Sequence, residues 1–290
     1  MPKHRALIVG GGRIGAGYNW AATPFVYTHA DAYLALKDRV ELVGFVEPDP
    51  GRLECAGFKY GVDTFRALPA ALEALKPDLV SICTQPTERC VILGQLNNAE
   101  SVKGIWCEKP LNIPQAQYGT LKPMNVNYWR RFDSPHQRVA EKIKSGRWGK
   151  VLGMTVAAKR NEATVCHFTH LALWWGVPAS NFHYCDVTTP GYVEASYHLY
   201  CEKAVVSWQE GGMLMFGYEG AMPSRWFPGH NIQRGEATDQ RLTKPAFMET
   251  ALAELLDYIE GHGKLSSPPE QAIKAEEWAD AILNPPRYTL

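Results

Sequence analysis

Residues 7–18, LIVGGGRIGAGY, place five glycines in a short stretch directly behind an apolar run. Each glycine costs roughly 0.5–1 kcal/mol relative to alanine inside regular structure, so this stretch needs bare backbone. Gly10, Gly12 and Gly15 stand in the order G-x-G-x-x-G. The preceding RALIVG (5–10) is apolar without alternation, the pattern of a strand buried on both faces of a parallel sheet. The apolar residues of 27–37 recur at helical spacing. VELVGFVEPD (40–49) then reads as a second strand ending in Glu47 and a Pro-Asp-Pro-Gly turn. Residues 68–76 read as a helix, 77–86 as a strand, 88–98 as a helix and 102–110 as a strand. Such alternation builds a parallel sheet with right-handed crossovers.

A buried strand, a glycine turn opening a helix or helical turn, and a later strand ending in an acid are the parts of a dinucleotide-binding unit. Gly10 permits the tight turn, Gly12 lets the backbone approach a pyrophosphate, and Gly15 lets the next helix pack close. Arg13 and Ile14 open that helix, whose N-terminus offers N–H groups and positive dipole to the phosphates. Glu47 is placed to accept from a ribose 2′-hydroxyl and its charge opposes a 2′-phosphate, which favours NAD. The guanidinium of Arg13 keeps NADP open as an alternative.

The second half changes character. Stretches 124–132 and 149–160 read as strands, and 168–176 as a short apolar helix. Residues 192–220 carry alternating or aromatic-rich runs that suggest an open, mostly antiparallel sheet. Two amphipathic helices, 247–263 and 270–283, close the chain. The expected architecture is α/β: a Rossmann dinucleotide-binding domain over 1–122, and a substrate and oligomerisation α+β domain over 123–290. Thirty basic residues balance thirty acidic ones, which leaves no electrostatic footprint for nucleic acid or an anionic membrane surface. No apolar run reaches the roughly eighteen residues of a membrane span. Seven scattered cysteines without a CxxC pair read as reduced thiols of a cytoplasmic protein.

GIWCEKPL places Glu108, Lys109 and Pro110 at the end of the 102–110 strand, the edge where open parallel sheets hold ligands. With the glycine loop, this resembles the glucose-fructose oxidoreductase, inositol dehydrogenase and rhizopine-catabolism family (Gfo/Idh/MocA). VSICTQPTERC (80–90), NYWRRFDS (127–134), GRWGKV (146–151) and HFTHLALWWG (167–176) resemble further stretches of that family, in order. The resemblance implies an NAD(P)-dependent dehydrogenase or reductase. A sugar, polyol or sugar derivative would lie between the domains over the nicotinamide, and the open sheet would form a homodimer or homotetramer. It implies that Thr84 and Pro86 line the nicotinamide side and that Glu108 and Lys109 also border the cofactor. Lys109 would hydrogen-bond the reacting oxygen and stabilise developing alkoxide. Glu108 would orient Lys109 or the cofactor, and the lysine's direction would be set by the Pro110 turn through a cis bond. Trp129, Arg130, Tyr18 and His170 are expected to border the substrate, although Trp129 and Tyr18 also read as packing residues.

The resemblance assigns the proton shuttle to His167. Where the family has aspartate, four residues before and three residues after it, this chain has Ala163 and His170. Glu162 or His170 could position His167. Alternatively the histidines pack the helix, or Cys166, His167 and His170 bind zinc; the expectation is no metal. Only thirteen residues, 111–123, link the Lys-Pro turn to the strand at 124, so the crossover is expected as a loop or single turn. Trp174, Trp175, Trp208 and Trp226 either stack on sugars or fill the core. The altered acid and the short crossover leave a second reading open: a dinucleotide- or sugar-sensing protein of the same fold without turnover.

Overall fold

The computed structural model describes residues 2–19, 25–114, 121–187, 195–209, 214–219, 221–223, 231–233 and 246–285, the three short stretches between 214 and 233 as backbone only. The chain forms two compact units, Met1–Asp133 with Pro245–Ile273, and Ser134–Lys244 with Lys274–Leu290.

The first unit contains β1 (His4–Val9), α1 (Arg13–Ala16), α2 (His29–Ala35), β2 (Val40–Val46), α3 (Pro50–Tyr60), β3 (Asp63–Phe65), α4 (Leu68–Leu75), β4 (Leu79–Ile82), α5 (Pro86–Asn98), β5 (Gly104–Cys107) and β6 (Met124–Val126). Among the described residues its sheet has six strands in the order β3-β2-β1-β4-β5-β6, and every pairing is parallel. The order reverses at β1. Its neighbours β2 and β4 carry the chain away in opposite directions and leave a crevice at the strand's carboxyl end, where the glycine loop begins. β4 and β5 are buried along their whole length, as their continuous apolar runs require.

The division between the units falls after Asp133, not after residue 122. The 124–132 stretch, expected as a strand of the second half, contributes β6 to the first sheet, with Ile105 opposite Met124. A 3-10 turn at Trp129–Arg131 follows. The helix expected over 247–263 is α8 (Phe247–Ile259), and it also belongs to the first unit. Met248, Ala251, Leu252, Leu255 and Leu256 enter one core cluster with Ala30, Tyr33 and Trp106. Polar contacts fix the docking: Asn125 on β6 donates to Glu254 at 3.0 Å and accepts from the Ser267 N–H at 3.3 Å. Amphipathic spacing identifies the apolar face of α8 but not the sheet that will cover it.

The second unit holds α6 (Ser134–Lys144), β7 (Val151–Ala158), α7 (Glu162–Trp175), β8 (Phe182–Asp186), β9 (Ser196–Cys201), β10 (Ala204–Gln209), β11 (Leu214–Glu219), β12 (Ala221–Pro223) and β13 (Asn231–Gln233). α9 (Pro269–Leu283) runs across the division. The main sheet of this unit has the order β11-β10-β9-β7-β8 among the described residues. Only the β7–β8 pairing is parallel. Its buried face carries Met154, Val156, Tyr197, Leu199, Val206 and Trp208. Tyr197 stacks on Trp208 at 5.4 Å and meets Trp175 edge-on at 5.6 Å, so these two tryptophans fill the core. Trp226 and residues 115–120 of the short crossover lie outside the described residues. Among the described residues no helix is long and apolar enough to cross a membrane.

Candidate functional site

The three motif glycines answer to three different neighbours. Gly10 has φ +105°, and a Cβ there would stand 2.8 Å from the Cys83 carbonyl group. A Cβ on Gly15 would stand 2.1 Å from the Gly10 carbonyl oxygen, inside the fold's own backbone. At Gly12 a Cβ would meet no atom within 4 Å, so bareness there serves nothing inside the protein and leaves room for an incoming group. The helix behind the loop is a single turn, because Gly17 adopts the left-handed conformation at φ +71° and ends it. Ala16 Nα bonds the Gly12 carbonyl at 2.9 Å, while Lys59 Nζ and the Tyr60 hydroxyl bond the Ala16 carbonyl. One turn sums little macrodipole, so an anion at this loop would meet individual amides and Arg13 rather than a helix dipole.

The loop opens on a cavity of about 1060 Å³ lined by Gly10, Gly12, Arg13, Ile14, Glu47 and Thr84. The volume is at the upper end of ordinary ligand pockets. Glu47 is buried, its Oε2 accepting from the Gly11 N–H at 2.8 Å and its Oε1 from the Asp49 N–H at 3.0 Å. Each carboxylate oxygen retains acceptor capacity beyond these bonds. Pro86 opens α5 as its first residue, while Thr84 lines the cavity. Tyr18, expected beside the substrate, lines this same cavity with the Arg52 guanidinium 5.7 Å from its ring centre. Arg52 did not emerge from the motif reading. The signal for it is the Asp49-Pro50 start of α3: Asp49 caps the helix by accepting from the Arg52 N–H at 2.8 Å, which places Arg52 in the first turn.

At the end of β5, Glu108 points inward. Its Oε1 accepts from Asn127 Nδ2 at 2.5 Å and lies 3.2 Å from His29 Nε2. His29 Nδ1 meets Ser81 Oγ at 2.9 Å, and Ser81 Oγ meets the Tyr33 hydroxyl at 2.6 Å. Trp106 packs on His29 with ring centres 3.8 Å apart. Burial alone would push the Glu108 carboxyl up. The hydrogen bond and charge of His29, the Asn127 amide and the Lys109 charge outweigh it and hold the group below its ordinary value. Glu108 is therefore a fixed anion. The next residue, Lys109, is half-buried, and its bond to Pro110 is cis.

Trp129 and Arg130 follow Asn127 in the first unit. The Arg130 guanidinium is buried and lies 4.3 Å from the centre of the Trp129 ring, which packs on Phe247 at 5.2 Å. In the second unit, Asn161 caps α7 by accepting from the Thr164 N–H. His167 and His170 are both buried, three residues apart and so on one side of the helix. Glu162 is exposed and, five residues from His167, stands about 140° around the helix from it. Of the two partners considered for His167, helix geometry brings His170 alone to its side. Among the described residues no three His, Cys, Asp or Glu side chains converge as a metal site.

Residues 4–124 match the family model described as "Oxidoreductase family, NAD-binding Rossmann fold". Inositol 2-dehydrogenase of Rhizobium meliloti (strain 1021) is 27% identical over 164 residues, 54% of this chain and 45% of that enzyme. The alignment thus spans less than half the length of that curated relative. The WlbA dehydrogenase from Bordetella pertussis, solved with NADH and UDP-GlcNAcA, superposes with a TM-score of 0.69 at 15% identity, covering 94% of this chain and 93% of that one. An oxidoreductase from Agrobacterium radiobacter, solved with NAD+, L-tartaric acid and magnesium, gives 0.70 at 14% identity over 97% and 95%. At these identities the likeness is one of fold.

Proposed function

We propose that this chain, whose residues 4–124 match a family of NAD-binding Rossmann-fold oxidoreductases, is an oxidoreductase of the Gfo/Idh/MocA type that transfers hydride between a nicotinamide cofactor and the alcohol or carbonyl of a sugar, polyol or sugar derivative. One observation carries the reading: the open space over Gly12, beside a loop whose other two glycines are demanded by their own neighbours. The cavity it faces has room for a dinucleotide's adenosine and pyrophosphate. Gly12 and Arg13 would hold the pyrophosphate, Glu47 and Arg52 would border the adenosine ribose, and Thr84 would border the nicotinamide. When bound, the nicotinamide supplies the hydride acceptor or donor.

The chain's own part is orientation and charge. The Glu108 carboxylate, pinned by His29 and Asn127, fixes the backbone from which Lys109 projects. The Lys109 ammonium donates to the reacting oxygen and stabilises its developing negative charge, a contribution of several kcal/mol in a desolvated site. His167, with His170 beside it on α7, supplies the proton acceptor in oxidation and the donor in reduction. Sugar derivatives and cyclitols are the first substrates to try, a choice supported by UDP-GlcNAcA in one neighbour and inositol in the name of a relative. Seven cysteines without a disulfide support a reducing, cytoplasmic setting. Tyr200, exposed on β9, supports assembly through the open sheet into a dimer or tetramer.

Calorimetric titration with NAD, NADH, NADP and NADPH tests the cofactor site. A screen of polyols, sugars and nucleotide sugars, followed by absorbance of the reduced cofactor, tests the reaction. Lys109→Ala should bind NADH within about threefold of wild type and lose turnover by at least about a hundredfold. Turnover that survives Lys109→Ala would remove the lysine from the chemistry. Tight NADH binding without turnover of any substrate would point to a sensing protein instead.

A further inference from the structure

Arg89 lies in the first turn of α5, at the positive end of the helix dipole, where a cation is disfavoured. It is 3% exposed. Among the described residues no carboxylate lies within ion-pair distance of it, and the adjacent Glu88 is exposed. Its Nε also finds no acceptor among them. Burying a guanidinium in this way is costly, so what the group holds should explain its presence. Nη2 donates to the Thr84 carbonyl at 2.7 Å, and Nη1 donates to the Pro110 carbonyl. β4 and β5 are neighbours, with Ile82 opposite Cys107, so the segments leaving them run side by side at the carboxyl edge of the sheet. One segment carries Thr84 and the other carries Lys109.

We propose that Arg89 is a positioning residue: its planar fork ties the Thr84 loop to the Lys109–Pro110 segment and so sets the lysine's place relative to the nucleotide cavity. This rests on the proposed roles of Thr84 and Lys109. Two parallel donors on one rigid plane fix the separation of the two carbonyl oxygens, which a lysine's single ammonium does less well. A shift of about an ångström between cofactor and reacting group is enough to cost about a hundredfold in rate.

Arg89→Gln and Arg89→Lys test it, with hydrogen–deuterium exchange of peptides covering 83–88 and 107–113 in the cofactor-free protein as the first readout. In Arg89→Gln both peptides should exchange faster together, by about tenfold, while other peptides of the sheet stay at wild-type rates. NADH affinity should stay within about threefold, and kcat should fall by at least about tenfold with KM for the screened substrate little changed. Arg89→Lys should recover part of both losses, and it carries the same test if Arg89→Gln does not fold. Wild-type exchange in both peptides of a folded variant, or a loss of kcat no larger than the loss of NADH affinity, would overturn the proposal. The exchange measurement needs no cofactor. A wild-type protein that binds no NADH therefore overturns the proposed function while the exchange result still decides whether Arg89 couples the two segments.

Discussion

Oε1 of Glu108 lies 3.2 Å from His29 Nε2, a residue 79 positions earlier in the chain, and accepts from Asn127 Nδ2 at 2.5 Å. A buried carboxylate held this way stays ionised although burial opposes its charge. Its value in the folded protein lies below the ordinary 4.5, so its stabilising contribution is complete above that pH and is lost as pH falls through the folded value. Glu108→Gln should cost about 1–3 kcal/mol at pH 7, since the amide keeps the shape but not the charge. In urea unfolding at pH 7, 5, 4 and 3, the gap between wild type and variant should hold to about pH 5 and shrink below about pH 4. A gap that did not change with pH would mean that the carboxylate's charge adds nothing to stability.

Gly12→Ala and Gly15→Ala separate binding from folding. Gly12 has φ −74° and open space where its Cβ would go, so alanine fits the empty protein. Its thermal midpoint should stay within about 2 °C of wild type, while NADH affinity falls by about tenfold or more, because the methyl takes the space left for the pyrophosphate. Gly15→Ala drives a methyl into the Gly10 carbonyl, and the loop must move. Its midpoint should drop by several degrees, in line with about 1–3 kcal/mol of overpacking. Equal NADH affinity in Gly12→Ala and wild type would place the phosphate elsewhere.

Glu47 has two duties, and substitution should reveal both. Both carboxylate oxygens accept backbone N–H groups, from Gly11 and Asp49. Glutamine offers a single oxygen, so one N–H would face a donor; Glu47→Gln should destabilise by about 1–3 kcal/mol. Removing the charge also lifts its repulsion of a 2′-phosphate, with Arg13 and Arg52 left on the cavity wall. The NADP-to-NAD affinity ratio should rise by about tenfold or more, read by titration calorimetry. An unchanged ratio would place the adenosine ribose away from Glu47.

The parts of this molecule legible from sequence are those written in short, local runs. β4 and β5 are buried along their whole length, and β1 and β2 through their last residues; these read as apolar runs, and the glycine spacing fixes its own turn. Glu47 stands out because it ends such a strand, whereas Lys109 stands out only through the resemblance that the Glu-Lys-Pro stretch carries. Residues whose meaning depends on a distant partner were not legible in this way. β6 is three residues long and is a strand only through its pairing with β5. α8 carries an apolar face that any sheet could cover, and the polar contacts of Asn125 decide which one does. His29 reads as a helix residue until Glu108 and Trp106 stand beside it, and Arg89 reads only as part of the 88–98 helix until the fold buries it.

The helix at 162–175 allows a paired test of the acid–base assignment. His167 and His170 are buried three residues apart, while Glu162 is exposed and turned away. His167→Asn keeps a polar group of similar size but loses the ionisable ring. It should lower kcat by about 10²–10⁴, the usual worth of general acid–base help, and remove one limb of the pH–rate profile. His170→Asn should act through His167, displacing that limb and costing less than His167→Asn does. Glu162→Gln should leave kcat within about twofold and the profile in place. If Glu162→Gln moved the limb while His170→Asn did not, the exposed carboxylate rather than the buried imidazole would be the partner of His167, and α7 would have to present a different face when substrate is bound.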